Sequence, residues 1–214
     1  MTDAVVLSGY RYSSYTRTVR LALLTKEVDH SYSEADPFSE VADSLSNMHP
    51  FGRVPVLQHG SLEVFETGAI TRYIDRAFQG QALQPDGPFN LARMDQVIGV
   101  IDAYAYRPMV RQVASHGFSR PHFGEDYRSE EVDAGMQASR PVLRFLNRVA
   151  EEGAVLTGQT LTLADFHLAP VIDYFTRPEE GRRALSEYLA LSKWWRTLAT
   201  NKHIRATDPF SPGS

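Results

Sequence analysis

Cysteine is missing from the whole sequence of 214 residues. Its absence excludes disulfides, thiolate metal sites and cysteine nucleophiles within this chain. Any thiol chemistry that the protein performs must therefore use a thiol that a substrate brings to it.

Long apolar runs and an excess of basic residues are missing as well. No apolar run approaches the roughly 18 residues of a membrane span, and 1-MTDAVVLSGYR-11 lacks the features of a signal peptide. The net charge of −4 provides no basic domain for a nucleic acid. We therefore expect a cytoplasmic protein that binds neither membranes nor nucleic acids.

The seven histidines do not form a metal-binding pattern. His116 and His122 flank 117-GFSRP-121, a turn-like segment, and no HExxH motif or carboxylate cluster accompanies them. We expect no metal cofactor.

The first 80 residues alternate between strand-like and helix-like patterns. We predict strands at residues 4–8, 28–35, 54–58 and 62–65, and helices at residues 15–26, 37–47 and 67–78. A parallel βαβ start followed by a hairpin around 59-HGS-61 predicts a mixed sheet covered by helices.

The rest of the chain is helical in pattern and follows a linker-like stretch, 79-QGQALQPDGPF-89. We predict helices at residues 90–114, 129–151, 163–176, 181–189 and 191–200. The sequence thus predicts an α/β domain at residues 1–80 and an all-α bundle at residues 90–214, with a frayed tail at 207-TDPFSPGS-214.

One motif of the bundle is structural. In 162-TLADFHLAP-170, Thr162 and Asp165 have the spacing of a capping box, and Leu161 is placed to pack onto the first turn as a hydrophobic staple. We predict that this motif starts a buried helix that organises the core.

Two hydroxyl residues, Ser13 and Ser14, precede an amphipathic helix in 12-YSSYTRTVRLALL-24. One interpretation is an N-cap, because a serine oxygen satisfies a free backbone N–H at a helix start. The other is an anion site, since the amides and the dipole there favour a negative charge such as a substrate thiolate. A cap needs only one of the two serines.

A second candidate contact lies in 65-FETGAITRYI-74. Thr67 is a candidate N-cap, and free amides at a helix start can receive a carboxylate. Glu66 could pair with a ligand amine. The simpler interpretation is a capped helix with an exposed Glu66.

A proline heads the predicted strand in 53-RVPVL-57, where it cannot donate to a sheet ladder. A cis bond between Val54 and Pro55 is one solution, which the residues alone leave open.

Tyr12 and the helical stretch 104-YAYRPMV-110 are candidates for the walls of an apolar pocket. An α-helical spacing places Tyr104, Arg107 and Val110 on one face. Packing in the core or at a domain interface explains these side chains equally well. The phenol of Tyr12 could also donate to a sulfur atom.

Taken in order, 49-HPFGRVPVL-57, 65-FETGAI-70 and 162-TLADFHLAP-170 resemble the glutathione S-transferase family. The resemblance covers nearly the whole chain. It implies a thioredoxin-like N-terminal domain, an all-α C-terminal domain, glutathione as co-substrate and a homodimer.

The resemblance also implies roles for single residues. Pro55 is similar to the family's cis-proline, and Val54 would offer its backbone to the cysteinyl part of glutathione. Glu66 and Thr67 resemble the Glu-Ser pair that holds the γ-glutamyl group. Arg53 stands where related sequences often carry Gln or Lys.

By the same resemblance, Ser13 aligns with the serine that activates glutathione in serine-type classes. The stretch 13-SSYTRTVRLAL-23 is similar to the start of the zeta class, whereas 50-PFGRVP-55 is more phi-like, so no class is assigned. We predict Ser13 as the thiolate donor. Ser14 is the alternative donor, and its expected role is that of a helix cap.

Three functions follow from this resemblance. The first is conjugation of glutathione to small apolar electrophiles, as in detoxification. The second is glutathione-dependent isomerisation of the zeta type. The third is non-catalytic binding of glutathione or apolar ligands, because a shared fold does not guarantee an activity.

Overall fold

The computed structural model describes residues 3–38 and 48–211, and the chain divides into two compact units. One unit comprises Met1–Leu83 together with Lys202–Ser214, and the other comprises Gln84–Asn201. The helix predicted at residues 37–47 lies, from residue 39 onward, outside the described residues.

The first unit contains a mixed sheet. Its described strands are β1 (Val5–Gly9), β2 (Ser31–Glu34), β3 (Val56–His59) and β4 (Leu62–Phe65), in the order β2-β1-β3-β4. Strands β1 and β2 are parallel, while β3 is antiparallel to both β1 and β4. The predicted mixed sheet with a parallel start and a hairpin end is confirmed.

Helices of this unit pack their apolar faces with the sheet residues into one core. Among the described residues, these helices are α1 (Ser14–Thr25), α2 (Thr67–Ala77) and, near the end of the chain, α10 (Lys202–Ala206). The fully buried side chains of the core include Leu7, Leu57, Val19, Leu23, Ile70 and Ile74. Helix α2 buries one side, which carries Ile70 and Ile74, and exposes residues on the other. Most of α1 is buried, and none of its residues is exposed.

A buried ion pair ties the far ends of α1 and α2 together. The ammonium nitrogen of Lys26 lies 3.1 Å from Asp75 Oδ1, and both side chains are almost fully buried. Lys26 also donates to the carbonyl of Gln81, and Asp75 accepts the N–H of Leu83. These extra hydrogen bonds offset part of the cost of removing two charges from water.

The C-terminal segment differs from the prediction. Arg17 of α1 is 1% exposed and donates to the carbonyl of Ile204 at 2.9 Å and to Thr207 Oγ1 at 3.2 Å. Thr207 is itself fully buried. The prediction of a frayed tail is therefore wrong for the described residues 207–211. The segment from Lys202 groups with the first unit, whereas the sequence placed it in the bundle.

The second unit is helical, as predicted. Its described helices are α3 (Pro88–Val100), α4 (Ile101–Ser119), α5 (Arg120–His122), α6 (Ser129–Glu152), α7 (Leu163–Phe175), α8 (Glu179–Ser186) and α9 (Leu189–Leu198). Helix α3 runs directly into α4, whose turns are of the wider π type. Pro108 lies inside α4 and has no N–H for a regular α-helical hydrogen bond.

The predicted capping box is confirmed at the start of α7. The backbone N–H and the hydroxyl of Thr162 each donate to Asp165 Oδ2 at 2.8 Å. The indole N–H of Trp194 donates to Asp165 Oδ1 at 2.7 Å, so the motif also joins α7 to α9. Burial raises the pKa of Asp165, and these hydrogen bonds act in the opposite direction. The staple by Leu161 stays a prediction.

Candidate active site

The register of the sheet gathers four strand ends at one edge of the first unit. Ser8 pairs with Val56, Val56 pairs with Phe65, and Gly9 pairs with Glu34 on the other side. We call this the site edge. It carries the end of β1, the end of β2, the start of β3 and the end of β4.

The width of the site edge suits a short peptide. Neighbouring strands lie about 4.8 Å apart, so the ends of β1 and β4 are separated by two spacings, or about 10 Å. Three extended residues also span about 10 Å. A tripeptide laid along the site edge can therefore reach both helix starts, at Ser14 and at Thr67.

Ser13 is the N-cap of α1, and its Oγ accepts the N–H of Thr16 at 3.2 Å. The side chain is half-buried. Because a serine hydroxyl has one proton to donate as well as lone pairs that accept, this bond leaves the Ser13 proton available to a ligand. The cap and the thiolate donor, which the sequence offered as alternatives, are compatible in one residue.

Ser14 differs sharply from Ser13. It is the first residue of α1 and only 3% exposed, and its hydroxyl oxygen is buried without a hydrogen-bond partner in the described part of the chain. The expectation that Ser14 is the cap is wrong, because Ser13 is the N-cap and Ser14 already lies inside the helix.

Strand β2 braces the loop that leads to Ser13. The hydroxyl of Tyr32 donates to the carbonyl of Gly9 at 2.8 Å and to Glu34 Oε2 at 2.9 Å. The other carboxylate oxygen of Glu34 accepts the N–H of Arg11 at 3.0 Å. Burial, and next the hydrogen bond to Glu34, raise the pKa of Tyr32. Neither residue could be singled out from the sequence, because the loop atoms that they contact lie 23 positions away.

The loop is also closed on itself. The N–H of Ser13 donates to the carbonyl of Tyr10 at 2.9 Å, and the N–H of Tyr10 donates to Thr16 Oγ1 at 3.3 Å. A Cβ at Gly9 would lie 2.3 Å from the Thr16 methyl carbon, so only glycine allows this approach. The backbone N–H of Ser13 is thus bonded to the preceding loop, and its side chain is bonded to the first turn of α1.

The start of β3 presents the second predicted contact. The bond between Val54 and Pro55 is cis, as predicted. Strand β3 begins only at Val56, so Pro55 lies just outside the sheet. No backbone N–H is needed there for a hydrogen bond between strands. Val54 is half-buried and Arg53 is exposed.

His49 supports this segment and was not singled out by the sequence. It is 3% exposed, its ring centroid lies 4.8 Å from that of Phe65, and its Nδ1 accepts the N–H of Phe51 at 3.1 Å. Burial lowers the pKa of His49, while the nearby carboxylate of Glu66 favours its charged form. A single sequence gives no signal for this role.

Glu66 and Thr67 form the third predicted contact. Glu66, not Thr67, is the N-cap of α2, and its exposed side chain makes no capping bond. The expectation of a Thr67 cap is therefore wrong, and Thr67 is the buried first residue of the helix. The first amides of α2 have no side-chain cap in the described structure, which leaves them to a ligand carboxylate.

The backbone of Glu66 is strained. Its φ of 68° and ψ of 115° are rare for a residue with a Cβ and cost on the order of 1–3 kcal/mol. Such strain persists where the surroundings or a function require it. Here it places a carboxylate at the start of a helix whose amides are open.

Tyr12 lies in an aromatic cluster of the first unit. Its ring centroid is 5.5 Å from that of Tyr10 and 5.3 Å from that of Phe210, and the guanidinium of Arg11 lies 5.3 Å from the same ring. The sequence predicted a pocket wall at Tyr12 and gave no signal for its contact with Phe210.

The predicted pocket residues of the second unit lie on α4. Tyr104 and Arg107 are exposed, and Val110 is half-buried. The sequence placed the three residues on one face because it assumed α-helical spacing. The wider π-type turns of α4 do not align residues three positions apart. Their role in substrate binding stays a prediction.

Within residues 3–38 and 48–211, no group of three or more acidic or histidine side chains is arranged to hold a metal ion. None of the helices in the same ranges combines the length and the apolar character that a membrane crossing needs.

Comparison with known proteins decides the family. Residues 7–82 match the glutathione S-transferase N-terminal domain, and residues 108–202 match the glutathione S-transferase C-terminal domain. The chain belongs to the glutathione S-transferase family. Glutathione S-transferase F14 of Arabidopsis thaliana is 32% identical over 174 residues, covering 75% of this chain and 68% of that protein.

A second relative and a solved structure are also similar to this glutathione S-transferase family member. A glutathione S-transferase of Pseudomonas putida is 31% identical over 190 residues, covering 86% of this chain and 80% of that protein. The solved structure of glutathione S-transferase III in its apo form superposes with a TM-score of 0.84 at 22% identity, covering 98% of this chain and 97% of that one. The predicted fold of a thioredoxin-like domain with an all-α domain is confirmed.

The contrast between the two serines predicts how stability responds to Ser14→Ala. Removing a buried hydroxyl that has no partner should leave the free energy of unfolding unchanged or raise it by up to about 1 kcal/mol. A cap residue would instead lose about 1 kcal/mol on the same substitution. Urea unfolding of the purified variant and the wild type measures the difference, and a loss of about 1 kcal/mol would contradict our assignment of the cap to Ser13.

Proposed function

We propose that this glutathione S-transferase activates the thiol of glutathione with the hydroxyl of Ser13 and directs the thiolate at small apolar electrophiles. The observation that carries the proposal is the position of Ser13. It caps α1 at the site edge, with its proton free of the capping bond.

The remaining groups of the site edge hold the tripeptide. The carboxylate of Glu66 pairs with the amine of the γ-glutamyl group, and the open amides at Thr67 receive its carboxylate. The backbone of Val54, held beside Pro55, binds the cysteinyl part. The exposed guanidinium of Arg53 attracts a carboxylate of the ligand.

The chemistry follows from the acidity of the thiol. A free thiol has a pKa of about 8.5, so it is mostly protonated at neutral pH, and only its thiolate attacks efficiently. A hydrogen bond to a charged group contributes about 1.5–3 kcal/mol, which corresponds to a pKa lower by about one to two units. The start of α1 adds a favourable dipole. Ser13 therefore acts on the charge of the sulfur and not on the binding of the peptide ends.

The proposal predicts a rate effect for two substitutions of Ser13. Ser13→Gly keeps most of the capping stability, since glycine replaces a serine cap at a cost of a few tenths of a kcal/mol, whereas Ser13→Ala also weakens the helix start. Both variants lose the hydroxyl. We expect kcat at neutral pH to fall about ten- to hundredfold in both, with KM for glutathione nearly unchanged.

Steady-state kinetics across pH provide the measurement. The deficit should shrink as pH rises, because hydroxide then removes the proton that Ser13 helps to release in the wild type. A Ser13→Gly enzyme with full activity would contradict the proposal. If Ser14→Ala lost activity instead, the two serines would have the opposite roles.

We also propose a homodimer that works in the cytoplasm in the detoxification of electrophiles. A reducing compartment keeps glutathione as the free thiol that the reaction consumes. The support for self-association is an exposed aromatic side chain, that of Phe51, which is 70% exposed in the first unit.

Assembly is tested by sedimentation equilibrium at micromolar concentration. The chain has a mass of 24.0 kDa, and we expect a species of twice that mass. Phe51→Ala should shift the equilibrium toward monomer, because it removes apolar area from the contact. A wild-type protein that sediments as a monomer would rule out the dimer.

A further inference from the structure

We propose that Tyr32 and Glu34 are positioning residues, which hold the turn before α1 so that the Ser13 hydroxyl is directed at the sulfur of bound glutathione. In this role neither side chain touches the ligand, and each acts through the backbone that carries Ser13. The inference rests on the proposed function, because it concerns how the same site keeps its donor in place.

A single turn brings the chain to Ser13. The N–H of Ser13 donates to the carbonyl of Tyr10 at 2.9 Å, which closes a turn with Arg11 and Tyr12 at its corner. That bond joins only the two ends of the turn, so the N–H of Arg11 is left to another acceptor. The direction of Ser13 therefore depends on what holds the corner and on what holds the residue before the turn.

Glu34 holds the corner of the turn. Its Oε1 accepts the N–H of Arg11 at 3.0 Å. Its Oε2 accepts the hydroxyl of Tyr32 at 2.9 Å, and that hydroxyl also lies 2.8 Å from the carbonyl oxygen of Gly9. The two oxygens share one phenol proton, so Tyr32 connects the carboxylate to the end of β1.

Strand β2 gives these two side chains a fixed base. It pairs in parallel with β1, and the N–H of Ala35 donates to the same carbonyl of Gly9 at 2.8 Å. The guanidinium of Arg20, which lies on α1, is 5.4 Å from the centre of the Tyr32 ring. Tyr32 thus contacts Gly9 before the turn and Arg20 in the helix after it.

The hydrogen bond from Ser13 to a sulfur atom depends on direction. Hydrogen bonds weaken steeply below an angle of about 120°, and a catalytic group has to be held within about 0.5 Å of its productive position. The hydrogen bonds of Glu34 are exposed to water, so each adds little to the stability of the fold. Losing one of them should therefore raise the pKa of the bound thiol while the protein stays folded.

Thiol titration and turnover of the full-length enzyme form the first arm of the test. Tyr32→Phe removes the hydroxyl and keeps the ring beside Arg20. We expect the pKa of the bound thiol to rise by about half a unit to one unit, and kcat below that pKa to fall about three- to tenfold. KM for glutathione should stay unchanged, because the groups proposed for the peptide ends are intact. An unchanged thiol pKa in Tyr32→Phe would overturn the inference.

Two substitutions of Glu34 separate its position from its charge. Glu34→Gln keeps a side-chain oxygen that accepts the N–H of Arg11, so the thiol pKa and kcat should stay close to those of the wild type. Glu34→Ala removes both acceptor oxygens and should raise the thiol pKa as Tyr32→Phe does. Equal results for the two substitutions would contradict a role that depends on holding the turn.

Tyr73 offers a matched control for the loss of a phenol hydroxyl. Its hydroxyl lies 2.7 Å from His59 Nδ1, and His59 pairs with Val5 at the start of β1, the opposite end of that strand from Gly9. Tyr73→Phe should lower the melting temperature about as much as Tyr32→Phe and leave the thiol pKa at its wild-type value. If both substitutions raised the thiol pKa equally, general loosening of the fold would be the cause and the inference would fail.

A double substitution shows through which residue Tyr32 acts. If its effect passes through the Ser13 hydroxyl, Tyr32→Phe should raise the thiol pKa in the wild type but not in the Ser13→Gly enzyme. An equal rise in both backgrounds overturns the inference and leaves the proposed function standing. If Ser13→Gly alone leaves the thiol pKa of the wild type unchanged, the proposed function fails and the inference fails with it.

Discussion

The hydrogen bond from the Thr16 N–H to Ser13 Oγ determines how the first helix begins and where the Ser13 hydroxyl lies. It uses a lone pair of the serine and not its proton, so a stabilising contact of the fold also prepares a donor for a ligand. The same Thr16 accepts the N–H of Tyr10 and lies against Gly9, which ties the cap to the end of β1. A displacement of this loop would move the cap and the donor together.

Around this bond, the sheet register and the C-terminal segment place the other groups. The antiparallel pairs of β3 bring Val54 and Glu66 to the same edge as Ser13, although they are separated along the chain. Arg17 then fastens residues 204–207 to the helix that Ser13 caps. The first unit thus brings the residues that we propose for glutathione to one edge of the sheet.

Features that depend on neighbouring residues could be predicted from the sequence. The Thr162–Asp165 capping box spans three residues, and the hairpin around 59-HGS-61 is just as local. The resemblance to the family supplied the cis Val54–Pro55 bond and the ligand-binding roles. In contrast, the choice of cap was wrong at both helix starts. Adjacent residues offered similar chemistry, and the path of the incoming loop decided between them.

Features that depend on distant residues could not be predicted. Arg17 and Thr207 are 190 positions apart, so nothing near 207-TDPFSPGS-214 indicates that it is held. The partners of Glu34, Tyr32 and Trp194 likewise come from other elements. The π-type turns of α4 have no local signal beyond Pro108, and they altered the face assumed for Tyr104.

We propose that the Ser13 hydroxyl stabilises the thiolate of bound glutathione, and a titration of that thiol tests this role without any electrophile. The ultraviolet absorbance of the thiolate, followed against pH in the glutathione complex, gives its pKa directly. We expect a pKa about one to two units below the free value of about 8.5 in the wild type, and a return toward the free value in Ser13→Gly. An identical pKa in the two complexes would contradict it.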